Sequence, residues 1–318
     1  MLDAAGGSFW QQYVVKTQQA QLAINARNGI GDGPLWDAAD RRLLWSDHQT
    51  GVVHEARSDG ARGWRQTGSW DLQRPLAVAL PRSRGGLVVV GGVEIVLLDA
   101  GGNITPFTRI EADPLQVRFN DAKCDPRGRL WAGTLAVDFS PRAGLYRIDP
   151  DGTVSAMLDH ARLANGLDWS PDGRTFYFID SLERTVDAFD FDVAHGTLSN
   201  RRTLVTLEPG RGVPNGMCVD RGGYLWVAAT GASEICRYSP RGELVGRVTI
   251  ATAAATSCAF GGPDGADLFI TSRRGRLPQI ALSAGVAPEF MENDGPEAGG
   301  LFVCRPGPTG APATPFAG

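Results

Sequence analysis

Several features that would quickly narrow the function are missing from this chain of 318 residues. No apolar run approaches the length of about 18 residues that a membrane-spanning helix needs, and lysine and arginine form no cluster. With a formal net charge of −4, neither a nucleic acid nor a membrane is an expected partner. The first twenty residues have an acid before any base and no apolar core, unlike a secretory signal. We therefore expect a cytoplasmic protein.

Signatures of common catalytic sites are missing as well. There is no GxSxG nucleophile elbow and no Walker-type phosphate loop. The five cysteines are odd in number and form no CxxC pair, which argues against a disulfide framework or a zinc knuckle. We expect them to be small buried residues. The four histidines, His48, His54, His160 and His195, lie outside the repeated motifs, so we expect structural or surface roles for them.

What the chain does have is a short sequence motif that occurs six times. A turn rich in Asp, Pro and Gly leads into a short strand of apolar and aromatic residues, and the copies recur at intervals of 42 to 49 residues. Their anchors are Leu44, Val88, Leu130, Phe176, Leu225 and Leu268. A repeat of about 40–50 residues with several short strands is typical of a β-propeller blade. The sequence therefore predicts an all-β, six-bladed β-propeller with a central channel and very little helix.

The repeats also suggest how the chain is divided. Residues 1–20 are predicted to be an N-terminal extension and residues 21–306 the propeller. Residues 307–318, rich in Pro, Gly and Ala, are predicted to be a flexible C-terminal tail. Too few strands follow the sixth repeat to complete a blade, and an open ring would expose strand edges. We expect the stretch around residues 21–26 to supply the outer strand of the last blade.

A second regular element lies just upstream of four of the turns. Counting back five residues from the start of each turn reaches Asp32, Asn120, Asn165 and Asn215. If these residues lie on the innermost strand of each blade, their side-chain oxygens meet near the axis and suit a hard cation. Because Asn-Gly is also a common turn dipeptide, Asn165 and Asn215 could instead be left-handed turn residues. The shared register favours a convergent site.

The chain resembles the regucalcin/gluconolactonase (senescence-marker-protein-like) family, six-bladed propellers that hydrolyse sugar lactones with one divalent metal. The matching stretches include GDGPLWD, RFNDAKCDPRGRLWAGTL, NGLDWSPDGRTFYFIDS and VPNGMCVDRGGYLWVA. The resemblance implies one divalent ion, with calcium favoured and zinc, manganese, magnesium or iron as alternatives. It implies that the metal ligands are Asp32, Asn165 and Asn215. It implies that the substrate contacts are Arg118, Asn120 and Asp138.

The chain departs from the family pattern at three positions. The family usually has Glu where Asp32 and Asp138 stand, and Asp where Asn215 stands. That family Asp binds metal and is the favoured general base, whereas an amide takes no proton near neutral pH. Asn215 is thus a catalytic position without its acid, and Asp138 is either the replacement base or an exposed loop acid. Arg118 is either a substrate contact or a surface partner of Asp121.

Two functions stay open at this point. The first is a metal-dependent hydrolase, a gluconolactonase-like carboxylic ester hydrolase that opens a small polar, sugar-type lactone. The second is a repurposed propeller that binds a ligand or catalyses a non-hydrolytic biosynthetic step, such as an isomerisation or cyclisation. Hydrolysis of an aryl ester or organophosphate is a further alternative. In each case the expected partner is a small-molecule lactone or related polar ligand, and the protein a monomer or weak homo-oligomer.

Overall fold

The computed structural model describes residues 15–60, 63–284 and 286–318. Within these ranges the chain is built almost wholly of strands, which form six separate sheets. Each sheet is a blade in which four neighbouring strands pair antiparallel. The predicted six-bladed β-propeller is confirmed.

The strands are numbered in chain order. Two precede the first blade: β1 (Lys16–Gln19) and β2 (Gln21–Ile24). Blade 1 consists of β3 (Gly31–Asp37), β4 (Arg42–Asp47), β5 (Val52–Ser58) and β6 (Trp64–Asp71). Blade 2 consists of β7 (Val78–Pro81), β8 (Leu87–Gly91), β9 (Glu94–Leu98) and β10 (Ile104–Arg109). Blade 3 consists of β11 (Val117–Cys124), β12 (Leu130–Ala136), β13 (Ala143–Ile148) and β14 (Val154–Ala161).

The second half of the ring repeats this plan. Blade 4 consists of β15 (Ala164–Trp169), β16 (Thr175–Asp180), β17 (Thr185–Asp192) and β18 (Thr197–Thr206). Blade 5 consists of β19 (Val213–Val219), β20 (Leu225–Thr230), β21 (Glu234–Tyr238) and β22 (Leu244–Thr249). Blade 6 begins with β23 (Ala255–Gly261), β24 (Asp267–Ser272) and β25 (Leu301–Cys304). Helix is limited, in the described ranges, to α1 (Ile280–Ser283) and one 3₁₀ turn (Pro288–Phe290).

The first strand of each blade lines the central channel. β3, β7, β11, β15, β19 and β23 contact one another in turn, and β23 returns to β3. Because these six strands enter the ring in the same sense, residues at equivalent positions lie at the same level of the channel. No helix in the described residues is long and apolar enough to span a membrane.

In blades 3 and 5 the turn of the repeat is held by a buried aspartate. In blade 3, one carboxylate oxygen of Asp125 accepts two backbone N–H groups of the turn, and the other accepts the indole N–H of Trp131 at 3.1 Å. Asp220 repeats the pattern in blade 5, where the bond from Trp226 is 3.0 Å. Gly128 supplies the left-handed turn position with φ +75°. In these two blades the Asp and Trp therefore fix the turn against the strand that follows it.

Both ends of the described chain help to close the ring. β2 pairs antiparallel with β25 and completes blade 6, which confirms the expected origin of that outer strand. β1 lies parallel to β22 as a fifth strand of blade 5. The predicted extension 1–20 thus includes a strand of the propeller, and its residues 1–14 lie outside the described residues.

The predicted flexible tail, residues 307–318, is wrong as a description of this segment. Phe316 is 0% exposed and packs in the core between blades 2 and 3. Backbone hydrogen bonds join Phe316 to Pro81 and Ala317 to Gly128, and Gly310 bonds to Gly265 on the far side of the ring. The physical reason is that one buried ring and a few backbone bonds hold an otherwise weakly apolar segment. This segment, called the C-terminal strap below, covers one end of the channel.

Candidate functional site

A cavity of about 170 Å³ lies at the end of the channel where the inner strands begin. Five of the six inner strands contribute polar side chains to it: Asp32 from β3, Arg118 and Asn120 from β11, Asn165 from β15, Asn215 from β19 and Thr256 from β23. Residues 277–284, which connect β24 to β25 and include α1, cover it with apolar side chains such as Leu277 and Ile280. The cavity therefore has a polar floor and an apolar roof.

The same irregularity aims each polar side chain into the channel. In β3, β11, β15, β19 and β23 the pairing register shifts at or beside the site residue, as it does between Ala164 and Leu167 around Asn165. β7, which adds no residue to the cavity, keeps a regular register. A bulge leaves one residue unpaired and redirects its side chain. The Asn-Gly pairs are thus bulge residues of inner strands that also place side-chain oxygens in the channel.

Hydroxyl groups fix the orientation of two asparagine side chains. The Asn165 amide donates to the Ser181 hydroxyl at 2.9 Å, and that hydroxyl donates to the carbonyl of Pro214. The Asn215 amide donates to the Thr230 hydroxyl at 2.9 Å, and that hydroxyl also donates to a backbone carbonyl. Since each hydroxyl has used its own proton, it must accept from the amide nitrogen. Both asparagine carbonyl oxygens then face away from the hydroxyls, and both are buried without a hydrogen-bond partner.

Asp32 adds a desolvated carboxylate to these two oxygens. Its side chain is 6% exposed and accepts a hydrogen bond of 2.7 Å from the backbone N–H of Gly33. Burial, and then the negative charge of Asp121, raise the pKa of Asp32 to about 8. A buried carboxylate without a cation is unfavourable. One such carboxylate and two oriented amide oxygens make a donor set that fits a hard divalent cation.

This donor set differs from a conventional metal cluster. No group of three or more His, Cys, Asp or Glu side chains suited to a metal occurs among the described residues. Two of the three candidate ligands, Asn165 and Asn215, are neutral amides, so the site has a single carboxylate, Asp32. All three line the one cavity, as the sequence had placed them.

The structure brings two of the three predicted substrate contacts into the cavity. Asn120 lines it and donates to the Ala164 carbonyl at 2.9 Å. Arg118 lines it too, and burial alone lowers the pKa of its guanidinium. Burial raises the pKa of Asp121, and the positive charge that acts against this rise is that of Lys123, not that of Arg118. The alternative that Arg118 is a surface partner of Asp121 is not supported.

The third predicted contact, Asp138, lies outside the cavity. It follows the end of β12, its side chain is 54% exposed, and it pairs with Arg142. Hydrogen bonds from Ser140 and the charge of Arg142 lower its pKa. The next residue, Phe139, adopts the left-handed conformation with φ +58° and lines the cavity instead. In this arrangement Asp138 is an exposed loop acid outside the cavity, and its expected catalytic and substrate-binding role stays a prediction.

Two residues of the cavity were missed in the sequence. His48, set aside as structural, lines the cavity, and its Nε2 atom is buried without a partner. Burial, and then the charge of Arg118, lower the pKa of His48 to about 4, so the ring is neutral. Arg273 also lines the cavity, and its positive charge contributes to the lowered pKa of His48.

A positional signal for the missed residues existed. His48 directly follows β4, Ser181 follows β16 and Arg273 follows β24. The second strand of a blade runs antiparallel to the first, so its end lies at the level where the inner strand begins. In blades 1, 4 and 6 the residue one position beyond the second strand therefore lines the same cavity.

A larger cavity of about 370 Å³ lies at the opposite end of the channel, under the C-terminal strap. Its principal charged side chains, Lys123 and Asp168, pair with each other at 2.9 Å. Lys123 also donates to the Met217 carbonyl, and Asp168 accepts the Val219 N–H. Because Lys123 and Asp168 are bonded to each other and to the backbone, the larger cavity is a weaker candidate for a binding or catalytic site than the smaller one.

Comparison with known proteins agrees with this geometry. The family described as the SMP-30/Gluconolactonase/LRE-like region matches residues 30–274. Regucalcin of Danio rerio is 38% identical over 259 residues, which cover 80% of this chain and 86% of the relative. Fold and site define a lactonase-type propeller. The chain belongs to the SMP-30/gluconolactonase/LRE-like family.

Solved structures extend the likeness over nearly the whole chain. A luciferin-regenerating enzyme is 27% identical with a TM-score of 0.82, covering 94% of this chain and 99% of its own. A calcium-binding protein, regucalcin, from Agrobacterium tumefaciens str. C58 has a TM-score of 0.83 at 23% identity, covering 95% of this chain and 98% of its own. At that identity the second likeness shows the fold alone.

Proposed function

We propose that this protein is a metal-dependent hydrolase that opens a small polar lactone in the 170 Å³ cavity. The observation that carries the proposal is the pair of buried, unpartnered oxygens of Asn165 and Asn215 in the same cavity as the desolvated carboxylate of Asp32. Calcium is the favoured ion because all three donors are oxygens. A divalent cation held there would polarise the lactone carbonyl and acidify a water molecule.

The chain's own residues would orient the substrate and exclude water. Arg118 can donate charge-assisted hydrogen bonds to oxygen atoms of the ligand. The roof residues, including Leu277 and Ile280, shield the floor from solvent, which strengthens polar interactions within the cavity.

His48 is our candidate for the proton acceptor that position 215 no longer supplies. The ring donates a hydrogen bond to the backbone of Ala77, and Nε2 has no partner. The donor is therefore Nδ1, which leaves the lone pair on Nε2. A neutral imidazole with an unpartnered basic nitrogen in the cavity can accept a proton from an attacking water molecule.

A lactone panel tests the proposal most directly. The protein is supplied with calcium, or with zinc, manganese, magnesium or iron, and acid release from aldonolactones is followed with and without a chelator. Opening of at least one lactone, lost on chelation and restored by the metal, is the expected result. If the metal-saturated protein opens none, the repurposed propeller that binds a ligand or catalyses a non-hydrolytic step takes the place of the hydrolase.

The binding partners, the cellular location and the oligomeric state are also part of the proposal. The formal net charge of −4 supports a small-molecule ligand over a nucleic acid or membrane partner, and the five cysteines are buried free thiols, as suits a cytoplasmic protein. We propose a monomer or weak homo-oligomer.

A further inference from the structure

Arg118 and Arg273 stand apart from most half-buried arginines of this protein. Arg42, Arg129 and Arg237 each pair with at least one carboxylate at 3.1 Å or less. For Arg118 and Arg273, by contrast, burial is the only influence on the pKa, which it lowers. Within the described part of the chain neither guanidinium has a carboxylate within 4.0 Å.

The two guanidiniums approach the cavity from opposite sides of the ring. Arg118 is the second residue of β11 in blade 3, and Arg273 directly follows β24 in blade 6. Both line the cavity, and both are near enough to His48 to affect its ring. Arg273 donates through one terminal nitrogen to the Arg276 carbonyl, while its Nε is buried without a partner. Donor capacity on a side chain that lines this space is thus left unused.

The charge balance of the cavity is positive. Asp32 is the single carboxylate that lines it, against two guanidiniums, and His48 is neutral. If a dication occupies the Asp32 site, the positive excess grows. Desolvated, uncompensated charge is unfavourable, so the free protein holds a binding site for negative charge.

We propose that Arg118 and Arg273 together bind an oxyanion of the substrate that is separate from the reacting carbonyl, so that the preferred substrate is a carboxylate-bearing lactone. This inference rests on the proposed lactone hydrolysis and specifies its substrate class. The cavity has a volume of about 170 Å³. That space suits one sugar-sized ring with its carboxylate.

The test compares two lactones that differ chiefly at one end. D-glucaro-1,4-lactone carries a free carboxylate, and D-glucono-1,4-lactone carries a hydroxymethyl group in its place. At fixed free metal concentration, kcat/KM should be at least about tenfold higher for the carboxylate-bearing lactone, since a charge-assisted bond contributes roughly that factor. Arg273→Gln should lower this ratio by about tenfold to hundredfold, while Arg274→Gln, on the exposed neighbouring residue, should leave it unchanged.

A binding measurement separates this inference from the proposed function. At the same free metal concentration, the dicarboxylate D-glucarate should raise Tm more than D-gluconate, and Arg273→Gln should abolish the difference. If this holds but no lactone is opened, the hydrolase proposal fails and the anion site stands. If lactones are opened with equal kcat/KM, or if Arg273→Gln slows both equally, the anion site is overturned and the hydrolase stands.

Discussion

The side chain of Asn215 donates a hydrogen bond of 2.9 Å to the Thr230 hydroxyl, whose own proton is given to the Ala255 carbonyl. This sequence of donors determines which end of the Asn215 amide faces the cavity. The unpartnered oxygen is presented inward because the hydroxyl has no proton left to give. Thr230, which is not itself a candidate metal ligand, thus controls the orientation of Asn215, which is one.

Thr230→Val should therefore weaken metal binding without removing a ligand. Valine has a similar shape but cannot accept the amide proton, so Asn215 loses its fixed orientation. We expect the metal dissociation constant to rise about 10–100-fold, as measured by calorimetry. Thr230→Ser keeps the hydroxyl and should retain the wild-type affinity. An unchanged affinity in the valine variant would show that Asn215 does not bind the ion.

Asn215→Asp should have the opposite effect. It restores a second carboxylate beside Asp32, and the number of charged ligands tunes the affinity of oxygen sites for calcium. We expect metal binding to tighten about tenfold or more, seen as a larger metal-dependent rise in Tm. A loss of affinity, or no change, would contradict the assignment of Asn215 as a ligand.

Asp32→Asn should stabilise the metal-free protein at neutral pH. The folded-state pKa of Asp32, about 8, lies above the ordinary aspartate value of 3.8, so the folded state binds more protons than the unfolded state between these values. Stability of the metal-free wild type should fall as pH rises from about 4 to about 8 and then level off. The variant should lack this fall, have a Tm a few degrees higher at pH 7 and lose the metal-dependent rise in Tm. Thermal melts across this pH range, with and without metal, provide the measurement.

His48→Gln and Asp138→Asn should separate the two candidate proton acceptors. Removing the basic nitrogen of His48 should lower kcat about 10²-fold or more with metal affinity retained. Asp138 is exposed and paired with Arg142, so Asp138→Asn should leave kcat within about twofold. Steady-state kinetics on any lactone that the protein opens are sufficient. The reverse pattern would mean that the loop after β12 turns Asp138 into the cavity when substrate binds.

Phe316→Ala should destabilise the fold without affecting metal affinity. The ring is fully buried and makes an edge contact with Phe107 at 5.5 Å between ring centres. Truncating such a phenylalanine costs about 3–5 kcal/mol, which unfolding in guanidinium chloride would measure. Leu115→Ala, at a side chain that is 83% exposed, is the control and should change stability by less than about 0.5 kcal/mol.

The sequence was most informative where structure is local and periodic. Register alone predicted that Asp32, Asn165 and Asn215 share one level, and the inner strands of blades 1, 4 and 5 each carry a bulge beside this position. The turn composition likewise predicted the blades, since Asp125 and Asp220 accept backbone N–H groups from residues two and four positions further along the chain.

The failures concern contacts between residues far apart in the chain or between side chains. Whether Asp138 points inward depends on its ion pair with Arg142, which no repeat encodes. His48 and Arg273 enter the cavity from second strands, outside the motif that marked the inner ones. The composition of the C-terminal strap indicated a low tendency to pack. The buried ring of Phe316 nevertheless anchors the strap in the core.

The pairing of β2 with β25 has a consequence for biosynthesis. These strands lie nearly three hundred residues apart, and β2 leaves the ribosome long before its partner Leu301–Cys304 exists. Blade 6, and with it the ring, can be completed only after residues 301–304 have been synthesised, while an unpaired strand edge stays exposed in the meantime. Closure between distant strands is intrinsically slow. Newly made protein should therefore depend more on chaperones before residue 304 emerges than after it.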